Sequence, residues 1–188
     1  MLSSFIAYGV IPVYTLIFAG GSDWFASNLS VIGSLPGRRA AFFFLGIIIG
    51  LYYLLILRKL LACIPRHMTE TFLLYTAFAL LVFAVSTPYL PDSVPLQAFL
   101  HVVSAFSASV LLTLALCLTL RRLSSLSRSA SAFLRPYRLS MAVIIAVSAA
   151  LLFIVGIISS ALEIYFIVTT TVLIQKMYAN SGEISGSG

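Results

Sequence analysis

The chain has 188 residues, of which 61% are hydrophobic and only 9% charged, with a formal net charge of +6 and a mean hydropathy of +1.12. A soluble domain carries about 25% charged residues, so the soluble-globular and disordered classes are both excluded. The length holds about six membrane spans of ~20 residues with short connections, which leaves no room for a soluble catalytic or nucleic-acid-binding domain. The positive charge is therefore read as a determinant of membrane orientation rather than as a nucleic-acid surface.

Six apolar segments follow in order. The first, 2–19, lacks a basic n-region and a cleavage site and is read as a retained helix, with Pro12 tolerated inside it. The second covers 40–57, and the third covers 71–87 and is closed by Pro88. The fourth covers 97–120. The run 140–177 would measure about 57 Å as one helix at ~1.5 Å per residue, nearly twice the ~30 Å hydrocarbon core. It is predicted to be a helical hairpin that turns near Gly156–Ala161, with Ser159 and Ser160 at the tip. The intervening segment 121–139 is arginine- and serine-rich. Leu123, Leu126, Ala130, Phe133 and Tyr137 recur in it at roughly helical spacing, which predicts a short interfacial helix on anionic lipid. The expected organisation is an all-α, polytopic, six-helix transmembrane domain over residues 1–178 and a disordered tail over 179–188.

The basic residues orient the bundle. Arg58, Lys59, Arg66, Arg121, Arg122, Arg128, Arg135, Arg138 and Lys176 fall on one side, and only Arg38 and Arg39 fall on the other. The positive-inside rule then places both termini in the cytoplasm of a cell with this protein in its inner membrane. Cys63 and Cys117 lie on the reducing side, outside any metal-ligand spacing, and are expected as free thiols. No cofactor or metal site is expected.

Small residues mark close helix packing. Gly46 and Gly50 are four apart in the second span, and Ser104 with its small neighbours forms a patch on the fourth. Packing within the bundle is the simplest use of Gly46 and Gly50; a homodimer or a partner membrane protein is the alternative.

The polar side chains left over gather on the outer face. Asp23, Trp24, Asn28, Ser30, Arg38 and Arg39 lie in the first outer loop, and Asp92 lies in a proline-stiffened second one. His101 sits about one turn inside the fourth span, ~6 Å below its outer end, and Glu163 enters the sixth at a similar depth. Ionisable groups at such depth are expensive unless they face a partner, water or the bundle interior. These residues, with Ser104, are the predicted lining of an outward-facing pocket between the fourth and sixth spans, roofed by the first loop. Asp92 or Glu163 is the expected partner of His101. The structural alternatives are a hydrogen bond from His101 to a neighbouring helix, a solvated Glu163, Asp92 as a cap or as a partner of Arg38 or Arg39, and Asp23 with Trp24 as an interface anchor.

Three stretches in this order resemble the bacterial and archaeal membrane family called domain of unknown function 998, and more distantly the Frag1/DRAM/Sfk1 group. They are Ser27-Asn28-Leu29-Ser30-Val31-Ile32-Gly33, then Phe44-Leu45-Gly46, then Pro88 to Asp92 followed by His101 and Ala105-Phe106. The resemblance covers nearly the whole chain. It implies a six-helix bundle, emphasises Ser30, Asp92 and His101, and favours a lipid or amphiphile as ligand.

The leading expectation is a non-enzymatic pocket for a lipid or small amphiphile, used in sensing, lipid organisation or facilitated movement. Arg38 or Arg39 would hold an anionic headgroup. One alternative is a proton-coupled transporter using His101 and Glu163. Another is an intramembrane lipid hydrolase with Ser30 as nucleophile, His101 as base and Asp92 or Glu163 as orienter, although the G-x-S-x-G elbow is absent. An accessory subunit of another membrane protein is a fourth.

Overall fold

Long apolar runs fold as helix in hydrocarbon because a helix satisfies its own backbone. The computed structural model describes residues 1–125 and 128–180, without the side chains of 128–130, and every regular element among the described residues is helical. The elements are α1 (Leu2–Ala19), α2 (Leu29–Ser34), α3 (Arg39–Leu61), α4 (Met68–Ser86), α5 (Pro95–Ser125), α6 (Arg128–Val155) and α7 (Ser160–Ala179).

Local chemistry sets most of the boundaries. Pro12 cannot donate to the turn before it, and that turn, Ile6–Val10, is wound as a wide π-helix. Asn28 caps α2 by accepting from Val31 N–H at 2.8 Å, and Ser159 caps α7 by accepting from Leu162 N–H. Helix α4 stops before Pro88, and α5 starts with Pro95, whose missing N–H is no loss in a first turn. The α6–α7 turn falls where the sequence predicts it, with Gly156 at φ +75°, a left-handed conformation that favours glycine.

Among the described residues, five helices are long and apolar enough to cross a membrane: α1, α3, α4, α5 and the 131–155 part of α6. The sixth predicted span, α7, has 20 residues, but Glu163, three threonines, Gln175 and Lys176 hold its hydropathy below theirs. By the length and composition of its helices, the chain is a helical multi-pass membrane bundle.

The segment 121–139 differs from the expectation. Among its described residues it contains no separate interfacial helix: α5 continues to Ser125, and α6 already begins at Arg128 and carries Pro136 inside it. At ~1.5 Å per residue, the 31 residues of α5 measure ~46 Å, well beyond a ~30 Å hydrocarbon core. The extension is held by packing, since Leu123 and Leu134 are fully buried, while Leu126 lies outside the described residues. Of the predicted tail, Ala179 ends α7 and Asn180 Nδ2 donates to Tyr137 Oη at 2.8 Å; residues 181–188 lie outside the described residues.

Helix α3 packs on α4, α4 on α5, α5 on α6, α6 on α7, and α7 returns to α3, which closes a ring of five helices. Helix α1 lies outside the ring against α3 and α7. Gly46 and Gly50 face α4, where a Cβ on Gly46 would collide with Val85 and one on Gly50 with Leu81, so this glycine pair serves the α3–α4 contact. The half of the ring that carries the arginines is packed solid by Leu57, Leu60, Leu116, Leu120, Ile174 and Met177. The other half is hollow.

Candidate functional site

The hollow half holds a cavity of about 390 Å³. All five ring helices line it, with Phe42, Gly46, Phe78, Leu81, Ala105, Leu112, Leu152 and Phe166 among the apolar walls. Its inner end reaches Tyr53, whose Oη contacts Thr170 Oγ1 at 2.7 Å and Thr171 Oγ1 at 3.0 Å and donates to Ile167 O. Ser30, His101 and Glu163 meet at the other end, where α2 lies across the ring.

Helix α2 is held there by the backbone as much as by side chains. The first N–H groups of a helix lack internal partners. Those of α7 find theirs in the first loop: Ser160 N–H donates to Ser27 O at 2.7 Å, and Ala161 N–H donates to Trp24 O at 2.9 Å. In return, Glu163 Oε2 accepts from Leu29 N–H at 2.6 Å. Gly33 lets α2 lie flat on α3, because a Cβ there would come within 2.5 Å of Phe42 Cγ. These contacts fix Ser30 over His101.

His101 is 1% exposed and has both ring nitrogens engaged. Nδ1 faces Ala84 O at 2.8 Å and Thr87 O at 2.9 Å, and Nε2 lies 2.7 Å from Ser30 Oγ. A carbonyl oxygen only accepts, so Nδ1 carries the hydrogen and donates to the pair. In the uncharged ring Nε2 is then an acceptor, and Ser30 Oγ–H donates to it. The two carbonyls stand at the C-terminal end of α4, the negative end of its dipole. The rings of Phe42 and Tyr89 flank the imidazole at 6.1 and 5.7 Å between centroids.

This corrects the expected His–carboxylate pair: carbonyls of α4 occupy the position assigned to Asp92 or Glu163, and Asp92 is exposed in its loop. The other predicted lining residues have local duties. Asp23 Oδ1 accepts from Phe25 and Ala26 N–H, and Trp24 Nε1 donates to Ala19 O. Asn28 is the α2 cap. Arg38 donates to Phe18 O and Arg39 to Ser86 O, carbonyls in the last turns of α1 and α4 that an arginine satisfies well. Ser104 is buried outside the cavity lining. Ser30 and His101 are in direct contact, and Glu163 shares the cavity lining with them and bonds the N–H of Leu29, the neighbour of Ser30.

One ionisable group that the sequence reading passes over is Glu70, fully buried near the start of α4 at the basic end. Arg122 Nε on α5 lies 2.6 Å from its Oε1, and Arg122 Nη1 also donates to Arg66 O. The available signal was that Glu70 is the sole acid between the arginine-bearing ends of two adjacent spans. Among the described residues, no three His, Cys, Asp or Glu side chains gather in a way that would hold a metal ion.

No family model, curated protein or solved structure matches this chain.

Proposed function

We propose that this is a multi-pass inner-membrane protein that holds the apolar chain of one lipid or small amphiphile inside its helix ring. The polar part of the ligand lies at Ser30, His101 and Glu163. The observation that carries this reading is the lining of the cavity: mostly apolar walls, with Ser30, His101 and Glu163 at one end and the hydroxyls of Ser109, Thr113, Ser148 and Tyr53 as the other polar groups. Its volume of about 390 Å³ lies within the ~300–1,000 Å³ range of small-molecule sites.

The walls also supply an approach from the bilayer. Phe106, Val110 and Leu114 on α5 and Ala149 on α6 line the cavity and are exposed. Helix α6 is the outermost wall, with only 11% of its span buried. A chain-bearing ligand passes between α5 and α6 without crossing water. In this account α7, shielded by α1, α3 and α6, is the sixth span, and the arginine-rich end faces the cytoplasm.

Native mass spectrometry of the protein extracted in mild detergent tests this. Wild type retains an amphiphile at one per chain, and Ala105→Trp, which fills the cavity, loses it while unfolding at a similar temperature. Equal retention by the two proteins would remove the cavity as the binding site.

A further inference from the structure

We propose that Ser30 is a nucleophile and His101 its general base, so that the protein transfers or hydrolyses the acyl group of an ester-linked amphiphile. This rests on the binding reading above, and what it adds is chemistry at the polar end of the same cavity.

A serine hydroxyl becomes nucleophilic when an adjacent base takes its proton, and the base needs a third group that fixes its tautomer and stabilises the charge it acquires. All three parts are present here in the required order. Ser30 Oγ lines the cavity and lies 2.7 Å from His101 Nε2, within the reach of proton transfer. Nδ1–H is held by Ala84 O and Thr87 O, which leaves Nε2 as the acceptor. The third group, a carboxylate in most such sites, is replaced by the carbonyl end of α4. Two acceptors on one N–H fix the tautomer and orient the ring.

The step balances with water or a second alcohol as co-reactant. Ser30 Oγ bonds to the ester carbonyl carbon as its proton passes to Nε2. The carbon–oxygen bond to the leaving alcohol breaks, and that oxygen takes the proton from Nε2. The acyl group is then on Ser30. Water attacks the same carbon and gives a proton to Nε2. The carboxylic acid leaves, and the proton returns to Ser30 Oγ. Glu163, through Leu29 N–H, is a positioning residue for the nucleophile.

The test uses hexadecyl fluorophosphonate on the full chain in detergent, with adducts mapped by peptide mass spectrometry and bound lipid measured on the same sample. Labelling forms the P–Oγ bond and expels fluoride, so it reports an activated serine. The expected result is one adduct, on Ser30 in wild type, with a labelling rate at least about 100-fold lower in His101→Ala, the scale of general-base catalysis. The wild-type map does not depend on any variant folding. An unlabelled Ser30, or an adduct only at other residues, with lipid still retained overturns the catalytic proposal and leaves the binding reading intact. Equal labelling rates in folded His101→Ala overturn the role of the base. An adduct on Ser30 without retained lipid supports the chemistry and counts against stable binding. Loss of both overturns both.

Discussion

Glu163 on α7 and the backbone N–H of Leu29 on α2 are joined by a 2.6 Å hydrogen bond across 134 positions of sequence. This bond sets the height of Ser30 above the cavity. A hydrogen bond to a charged group contributes about 1.5–3 kcal/mol. Glu163→Ala is therefore expected to speed amide exchange at Leu29 by about 10- to 100-fold, at 1.4 kcal/mol per decade. Glu163→Gln keeps an acceptor and is expected to show a smaller change. Unaltered exchange at Leu29 in Glu163→Ala would mean that other contacts hold α2.

Gly33 is the second control on the same helix. Its missing Cβ is the space into which the Phe42 ring packs. Gly33→Ala overpacks the α2–α3 contact and is expected to destabilise by about 1–3 kcal/mol. Thermal unfolding in detergent measures this. Phe42→Leu in the same chain relieves the clash and is expected to restore part of the loss. A Gly33→Ala protein as stable as wild type contradicts the close packing.

At the basic end, the Glu70–Arg122 pair is asymmetric. Glu70 is fully buried, whereas the Arg122 side chain is 39% exposed. Removing the arginine leaves a buried carboxylate without its cation, which is destabilising, though by less than for a pair buried on both sides. Removing the carboxylate frees an arginine that reaches water. Arg122→Ala is therefore expected to lower the unfolding temperature more than Glu70→Gln. The reverse order would show that Arg122 matters mainly through its contact with Arg66 O.

The proposed orientation has its own check. Cys63 is exposed at the basic end, and Asp92 is exposed near the other. An impermeant maleimide applied to intact cells is expected to label Asp92→Cys, placed in a chain lacking Cys63 and Cys117, and to reach native Cys63 only after permeabilisation. The opposite pattern inverts the bundle.

Five apolar spans and the α6–α7 turn are legible in the sequence because a membrane helix must be long and apolar, and because a run twice the bilayer thickness must fold back. Residues 121–139 were misread because arginine, serine and Pro136 resemble a loop. Only burial of Leu123 and Leu134 between neighbouring helices makes the segment a continuation of α5 and α6. The meeting of Ser30, His101 and Glu163 was legible from the rarity of polar groups within apolar runs. Their partners were not, because Ala84 O, Thr87 O and Leu29 N–H are backbone atoms and leave no trace in residue type. For the same reason Arg38 and Arg39 looked available for a headgroup, when the ends of α1 and α4 already hold them.

Photocrosslinking with a phospholipid that carries a diazirine in its acyl chain tests the central claim most directly. Crosslinks on inward residues such as Leu81, Phe78 and Leu112, lost in Ala105→Trp, are the expected result. Crosslinks confined to outward residues such as Phe72 and Phe153 would contradict a lipid inside the ring.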